Sequence, residues 1–155
     1  MKKLFSLFLC IILCVVFQTT TYAADNSFTT ITEVFPDGSY IESCIEEDNL
    51  AIVPFSTSTK SGTKIDSYKY GDGSILWSIT VHGKFTYDGS TSKCIVSSIS
   101  TTCPSSYWKL SNKSASKTNA TAKASATAKR YLDNKVVQTL NRSVQLTCNK
   151  NGKLS

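Results

Sequence analysis

Hydrophobic and polar residues alternate along much of this chain. Ile75, Trp77, Ile79, Val81, Gly83, Phe85 and Tyr87 hold alternate positions, with Ser78, Thr80, His82, Lys84 and Thr86 between them. A period of two puts one set on one face of a β-strand. Gly71-Asp72-Gly73 before this run and Asp88-Gly89 after it are turn signals. The next run, Thr91 to Cys103, carries Cys94 and Val96 on one parity. A two-residue turn at Asp88-Gly89 or Gly89-Ser90 would pair odd positions with even ones, so both are expected on the core face with Phe85 and Val81.

Ala120, Ala122, Ala124, Ala126 and Ala128 alternate with Thr121, Lys123, Ser125, Thr127 and Lys129. Alanine and lysine favour helix. At 100° per residue, however, these alanines spread round the whole cylinder and leave no apolar stripe. As a strand they form one flat face of small residues. A Lys117-Thr118-Asn119 loop sets Trp108 near Ala128 and Leu110 near Ala126, with Asn119 able to take a left-handed conformation. An Asp133-Asn134-Lys135 loop sets the alanines against Leu140, Val144 and Leu146. An earlier hairpin is expected from Phe28 to Phe35, a Pro36-Asp37-Gly38 turn, and Ser39 to Ile45. The sum is roughly seven sequence-adjacent strands and no crossover helix, which predicts an all-β fold. An antiparallel immunoglobulin-like β-sandwich is expected, with a small β-barrel as the alternative.

The N-terminus differs in kind. Met1-Lys2-Lys3 leads into an apolar run from Leu4 to Phe17, then Thr21-Tyr22-Ala23 places small residues at a cleavage site. This predicts a signal-peptide helix over residues 1–23, because a membrane span needs about 20 apolar residues. Secretion to the extracellular medium follows, with no stable membrane insertion after cleavage. Two of six cysteines leave with the signal, and Cys44, Cys94, Cys103 and Cys148 remain. Four cysteines in an exported chain allow two disulfides in three connectivities. Cys94 and Cys148 share the inward parity, whereas Cys103 has the opposite parity and is directed elsewhere, with Cys44 as its candidate partner.

The formal charge of +6 hides a division. Asp25 to Thr59 holds seven acids and no base, whereas Lys60 to Ser155 holds fifteen bases and four acids. The chain therefore divides into an acidic segment (24–59) and a basic β-domain (60–155), joined by a small, polar stretch at Ser56 to Gly62 that reads as a linker. The acidic segment either adds strands to the domain or acts as a detachable pro-segment.

Candidate chemistry is sparse. His82 is the only histidine, which excludes sites built from two or three. Asp72, Asp88 and Asp133 belong to turns, where aspartate serves the backbone. No metal motif, phosphate loop or cofactor fingerprint occurs, so no catalytic residue, metal or cofactor is assigned. A hydrolase using Asp66 or His82 is the minor alternative. One cluster exceeds background: Lys109, Lys113, Lys117, Lys123 and Lys129 share the outward parity of one hairpin, with Lys113 expected opposite Lys123. Such a face suits an anionic polymer, a glycan or an acidic host protein. Nucleic acid is not expected, for want of interleaved aromatics.

Several stretches resemble small secreted β-rich proteins of Gram-positive, often gut-associated, bacteria. They are Asp72-Gly73-Ser74-Ile75-Leu76-Trp77-Ser78, Gly83-Lys84-Phe85-Thr86-Tyr87-Asp88-Gly89, Ser92-Lys93-Cys94, Trp108-Lys109, Ser114-Ala115-Ser116-Lys117, and the tail through Arg130-Tyr131 to Leu146-Thr147-Cys148 and Gly152. The resemblance runs from Tyr70 to Ser155. It implies a secreted β-domain with Cys94 and Cys148 as its recurrent cysteines, carries no catalytic residues, and leaves Cys44 and Cys103 outside its pattern. A non-enzymatic binding protein is therefore expected, with a cationic antimicrobial or toxin bearing an acidic pro-segment as the alternative.

Overall fold

The computed structural model describes residues 28–48 and 57–155. The expected signal peptide lies outside them. Among the described residues eight strands follow one another: β1 (Phe28–Val34), β2 (Tyr40–Glu47), β3 (Ser58–Lys69), β4 (Ile75–Tyr87), β5 (Ser92–Thr102), β6 (Trp108–Thr118), β7 (Thr121–Leu132) and β8 (Lys135–Thr147). Strands β1 to β5 form one sheet and β6 to β8 another, each in sequential order with antiparallel pairing. The all-β, two-sheet antiparallel sandwich is as expected. Among the described residues the strand order of each sheet is sequential, without the Greek-key order that defines immunoglobulin topology.

The alternating runs form strands because their apolar parities face each other across the sandwich. Trp77, Ile79, Val81 and Phe85 of β4 are fully buried. Ala122, Ala124, Ala126 and Ala128 of β7 meet them as the small-residue face of the second sheet, at 0%, 0%, 4% and 0% exposure. Tertiary burial overrides the helix propensity of alanine here. One end of the core is aromatic: the Tyr68 ring stacks on Trp77 at 5.2 Å, with Trp108 and Phe35 edge-on at 5.3 Å. Burial raises the Tyr68 hydroxyl above its ordinary pKa, while a 2.6 Å hydrogen bond to Ser39 opposes that rise. The other end packs Phe85, Cys94, Cys148 and Leu154.

Several finer expectations are corrected. The stretch read as a linker is largely strand: Ser58 to Gly62 pair with Gly83 to Tyr87 of β4. The β4–β5 connection spans Asp88 to Thr91, and a bulge between Lys84 and Phe85 flips the parity beyond it. Cys94 stays opposite Phe85 on the core face, but Val96 turns out and is 48% exposed. Both later turns are tighter by one residue. Thr118 pairs with Thr121 and Leu132 with Lys135, and positive φ at Asn119, Asp133 and Asn134 closes the turns. Bulges restore the even-to-even register in each case, so Ala128, Ala124 and Ala122 still oppose Leu140, Val144 and Leu146. Trp108 and Leu110 move two positions and oppose Arg130 and Ala128.

The acidic segment supplies β1 and β2, with β2 hydrogen-bonded along β3. Its acids meet bases of the same fold. Glu47 bridges Lys60 at 2.6 Å, Glu42 bridges Lys69, and Glu33 bridges Arg142 at 3.0 Å.

Candidate polyanion-binding face

The outer face of the β6–β8 sheet follows from its register. Residues directly opposite each other in an antiparallel pair share a face. Since the alanines, Val144 and Leu146 point into the core, their neighbours along the strands point out. Five rows result: Lys109–Lys129–Thr139, Ser111–Thr127–Asn141, Ser114–Ser125–Ser143, Ser116–Lys123–Gln145 and Thr118–Thr121–Thr147. All fifteen side chains are polar, three are lysines, and none is acidic or apolar. Cross-strand bonds order the hydroxyls: Ser114 to Ser125 at 2.8 Å, Thr127 to Asn141 at 2.8 Å, and Thr121 to Thr147 at 3.1 Å. One row beyond the lysine pair stands Tyr131, with the Lys109 ammonium 5.0 Å from its ring centre. The Tyr131 N–H donates to the Tyr107 carbonyl, which extends the ladder by one row and places a second tyrosine there. The face is thus not free of aromatics, although both sit at one end.

The five expected lysines divide. Lys109, Lys123 and Lys129 lie on the outer face, with Lys109 directly opposite Lys129. Lys113 does not face Lys123, whose partner is Ser116. The bulge between Ser111 and Ser114, with Asn112 at φ 51°, inverts the parity of the rest of β6. Lys117 then shares the inward parity with Ala122, and its ammonium donates to the Ile95 carbonyl on β5. Burial raises the Cys103 thiol just past β5 above its ordinary pKa, and the charge of Lys113 opposes that rise. None of the five takes part in an ion pair among the described residues. The amphipathic alternation was visible in the sequence. The bulge was not, and a mid-strand asparagine was its only hint.

The cysteines are separated in the same way. Cys94 and Cys148 are buried beside one turn: the Cys94 N–H donates to the Asn119 carbonyl at 2.7 Å and the Cys148 N–H to the Ala120 carbonyl at 3.0 Å. Burial pushes both thiols above their ordinary pKa, with Lys117 opposing for Cys94 and Lys60 for Cys148. No disulfide occurs among the described residues. Cys44 and Cys103 cannot be partners in this fold. Cys44 sits on β2 and Cys103 just past β5 in the same sheet. Three strand spacings of about 4.8 Å put them about 14 Å apart, beyond the ~7 Å reach of a disulfide.

The two residues considered for hydrolysis do not meet. Asp66 pairs with Ile79 on the inner face, where its carboxylate accepts from Ser43 at 2.6 Å and from Arg142 at 2.7 Å. His82 lies on the opposite face of that sheet and hydrogen-bonds Ser100 at 2.8 Å. Compared with known protein families, curated proteins and solved structures, the chain matches none.

Proposed function

We propose that this chain is an exported, non-enzymatic binding protein that holds an anionic surface polymer on the outer face of the β6–β8 sheet. The observation that carries the reading is the composition of that face: three lysines among twelve uncharged hydrogen-bonding side chains, with no carboxylate to repel an anion. Hydroxyls and amides suit a polymer rich in oxygen, and the lysines supply attraction that salt screens. The test is retention on an immobilised anionic polymer across a salt series. Exchanging Lys123 and Lys129 for glutamine should weaken binding about two- to thirtyfold near physiological salt, since exposed charge contacts contribute about 0.2–1 kcal/mol each. Unchanged retention removes the proposal. Retention on an acidic protein or a neutral glycan, and not on the polymer, reassigns the ligand.

Export bears on two further points. An oxidising exterior would join Cys94 and Cys148, which flank one turn. Mass analysis of the secreted chain, alkylated with and without prior reduction, tests this, and two freely alkylated thiols without reductant count against it. The same spectrum tests the pro-segment alternative. The ion pairs of Glu42 and Glu47 favour a chain that keeps β1 and β2, so a mass starting near Lys60 would instead favour the antimicrobial reading.

A further inference from the structure

Ten large apolar side chains are exposed among the described residues, and seven of them gather at one end of the sandwich. Four stand at the corner where the β7–β8 hairpin turns and take in both its sides: Tyr107 at 62% and Val136 at 48% exposure on the outer parity, Leu132 at 55% on the inner, and Val137 at 53% in the bulge. Val34, Tyr70 and Ile75 stand on the neighbouring strand ends and turns. The end is a single surface. Gly38 and Gly71 bring the β1–β2 and β3–β4 turns into contact, and the Ser105 N–H in the β5–β6 connection donates to the Leu76 carbonyl.

The corner is built round a hairpin tip. The left-handed pair Asp133-Asn134, at φ 48° and 61°, makes the β7–β8 turn as tight as a hairpin permits, and the hairpin ends there. The bulge opposite Arg130 and Tyr131 inserts Val137 as an extra residue just below the tip. Leu132, Val136 and Val137 therefore stand at the hairpin tip, with Tyr107 on the segment beside it. Clefts of about 170 Å³ and 260 Å³ lie elsewhere, beside His82 and Arg142. A protein partner would need a matching pocket for such a tip, whereas a bilayer accepts any convex apolar shape.

The charges around the corner are basic. Lys135 sits opposite Leu132 at the tip, and the Lys109–Lys129 pair forms the next row on the outer face. Asp133 is the acid of this hairpin tip. The nearby carboxylates of Asp37 and Asp72 accept the N–H groups of Ser39 and Ser74 within their own turns. Tyrosine belongs to the headgroup level of a membrane. Apolar side chains rimmed by lysine match the boundary between anionic headgroups and acyl chains.

From this arrangement we infer that the corner formed by Tyr107, Leu132, Val136 and Val137 docks the protein on the surface of an anionic lipid bilayer. Docking is peripheral: the tip enters the headgroup region, about 5–10 Å deep, and the sheets stay outside. The corner shares the Lys109–Lys129 row with the polymer face, whereas Lys123, six residues along β7 from Lys129 and about 20 Å away, belongs to the polymer face alone.

The test is co-sedimentation of the secreted chain with phosphatidylcholine vesicles, with and without phosphatidylglycerol. Sedimentation is expected with phosphatidylglycerol and should fall as salt rises. A Leu132→Ser/Val136→Ser double variant should lose partitioning on the order of tenfold or more, as each apolar side chain kept in water forfeits its burial. Tyr107→Ser, on a separate segment, is a second variant expected to weaken partitioning. Both alter exposed positions, so their thermal midpoints should match the parent. Lys123→Gln should leave vesicle binding unchanged while weakening polymer retention. The inference is overturned if phosphatidylglycerol vesicles fail to sediment the parent chain. It is equally overturned if the serine variants partition like the parent, or if binding ignores the anionic lipid.

Discussion

Three aspartates do the same work in three places. Asp37, Asp72 and Asp88 are each followed by Gly-Ser, and in each case the aspartate Oδ1 accepts the N–H two residues on, at 3.1, 2.9 and 2.9 Å. The intervening glycines take φ of 81°, 87° and 85°, a region that side chains disfavour. Asp88 adds the N–H of Thr91 at 2.7 Å. These bonds, led by the Thr91 amide, hold its carboxyl below the ordinary value of 3.8. A depressed folded value means that the ionised form stabilises the fold. The contribution is present above about pH 4 and is lost as pH falls through the lower folded value. Asp88→Ala should therefore lower the urea midpoint at neutral pH, with a gap that narrows below pH 4. A gap independent of pH would show that the carboxylate's charge is not what closes the turn.

Among the elements, β7 is the most constrained, because its alanines fix how closely the two sheets approach. Gly83 on β4 meets this face: a Cβ there would lie 3.2 Å from the Ala122 methyl and 2.6 Å from the Phe85 ring. Enlarging a fully buried position in such a layer forces side chains off their rotamers. Ala124→Leu should destabilise by about 1–3 kcal/mol, read from urea unfolding, whereas Ser125→Val on the outer face should stay within about 0.5 kcal/mol. Equal effects at the two positions would contradict the assignment of faces. The bulges matter at this scale as well. Each later turn is one residue tighter than its composition suggested, and each bulge returns the apolar parity to the core. Burial of the alanine face governs the register, and the turn adjusts to it.

Across the whole molecule, Arg142 ties the sheets together on their open side. From β8 its Nε reaches Asp66 on β3 at 2.7 Å, one terminal nitrogen reaches Glu33 on β1 at 3.0 Å, and the other reaches Thr32 at 3.4 Å. The Asp66 side chain is only 4% exposed, so losing its partner strands a carboxylate in the interior. Arg142→Leu should lower stability by about 1.5–3 kcal/mol, the range for hydrogen bonds to charged groups. It should also speed amide exchange in β1, whose residues are all exposed. Loss of stability without faster exchange in β1 would leave Arg142 an inter-sheet tie and no clasp on that strand. The charge division thus has a structural outcome. Part of the negative segment neutralises bases at the β2–β3 and β1–β8 contacts, and the lysines of the far sheet face form no ion pair among the described residues.

Most of the strands were legible in the amino-acid pattern. Alternation of Trp77, Ile79, Val81 and Phe85, and of the alanines, decides which residues leave water, and Asp-Gly and Asn placements decide where the chain reverses. β3 was harder to read, because its inward positions are Gly62, Lys64, Asp66 and Tyr68, a pattern with little apolar content. Which lysines share a face depends on the fold. A single inserted residue near Asn112 inverts every later position of β6, and composition does not encode a bulge. The fold also decided the cysteine distances, the separation of Asp66 from His82, and the gathering of exposed apolar side chains at one end. Each of these depends on how strands distant in sequence are laid side by side, which a local pattern with a period of two does not specify.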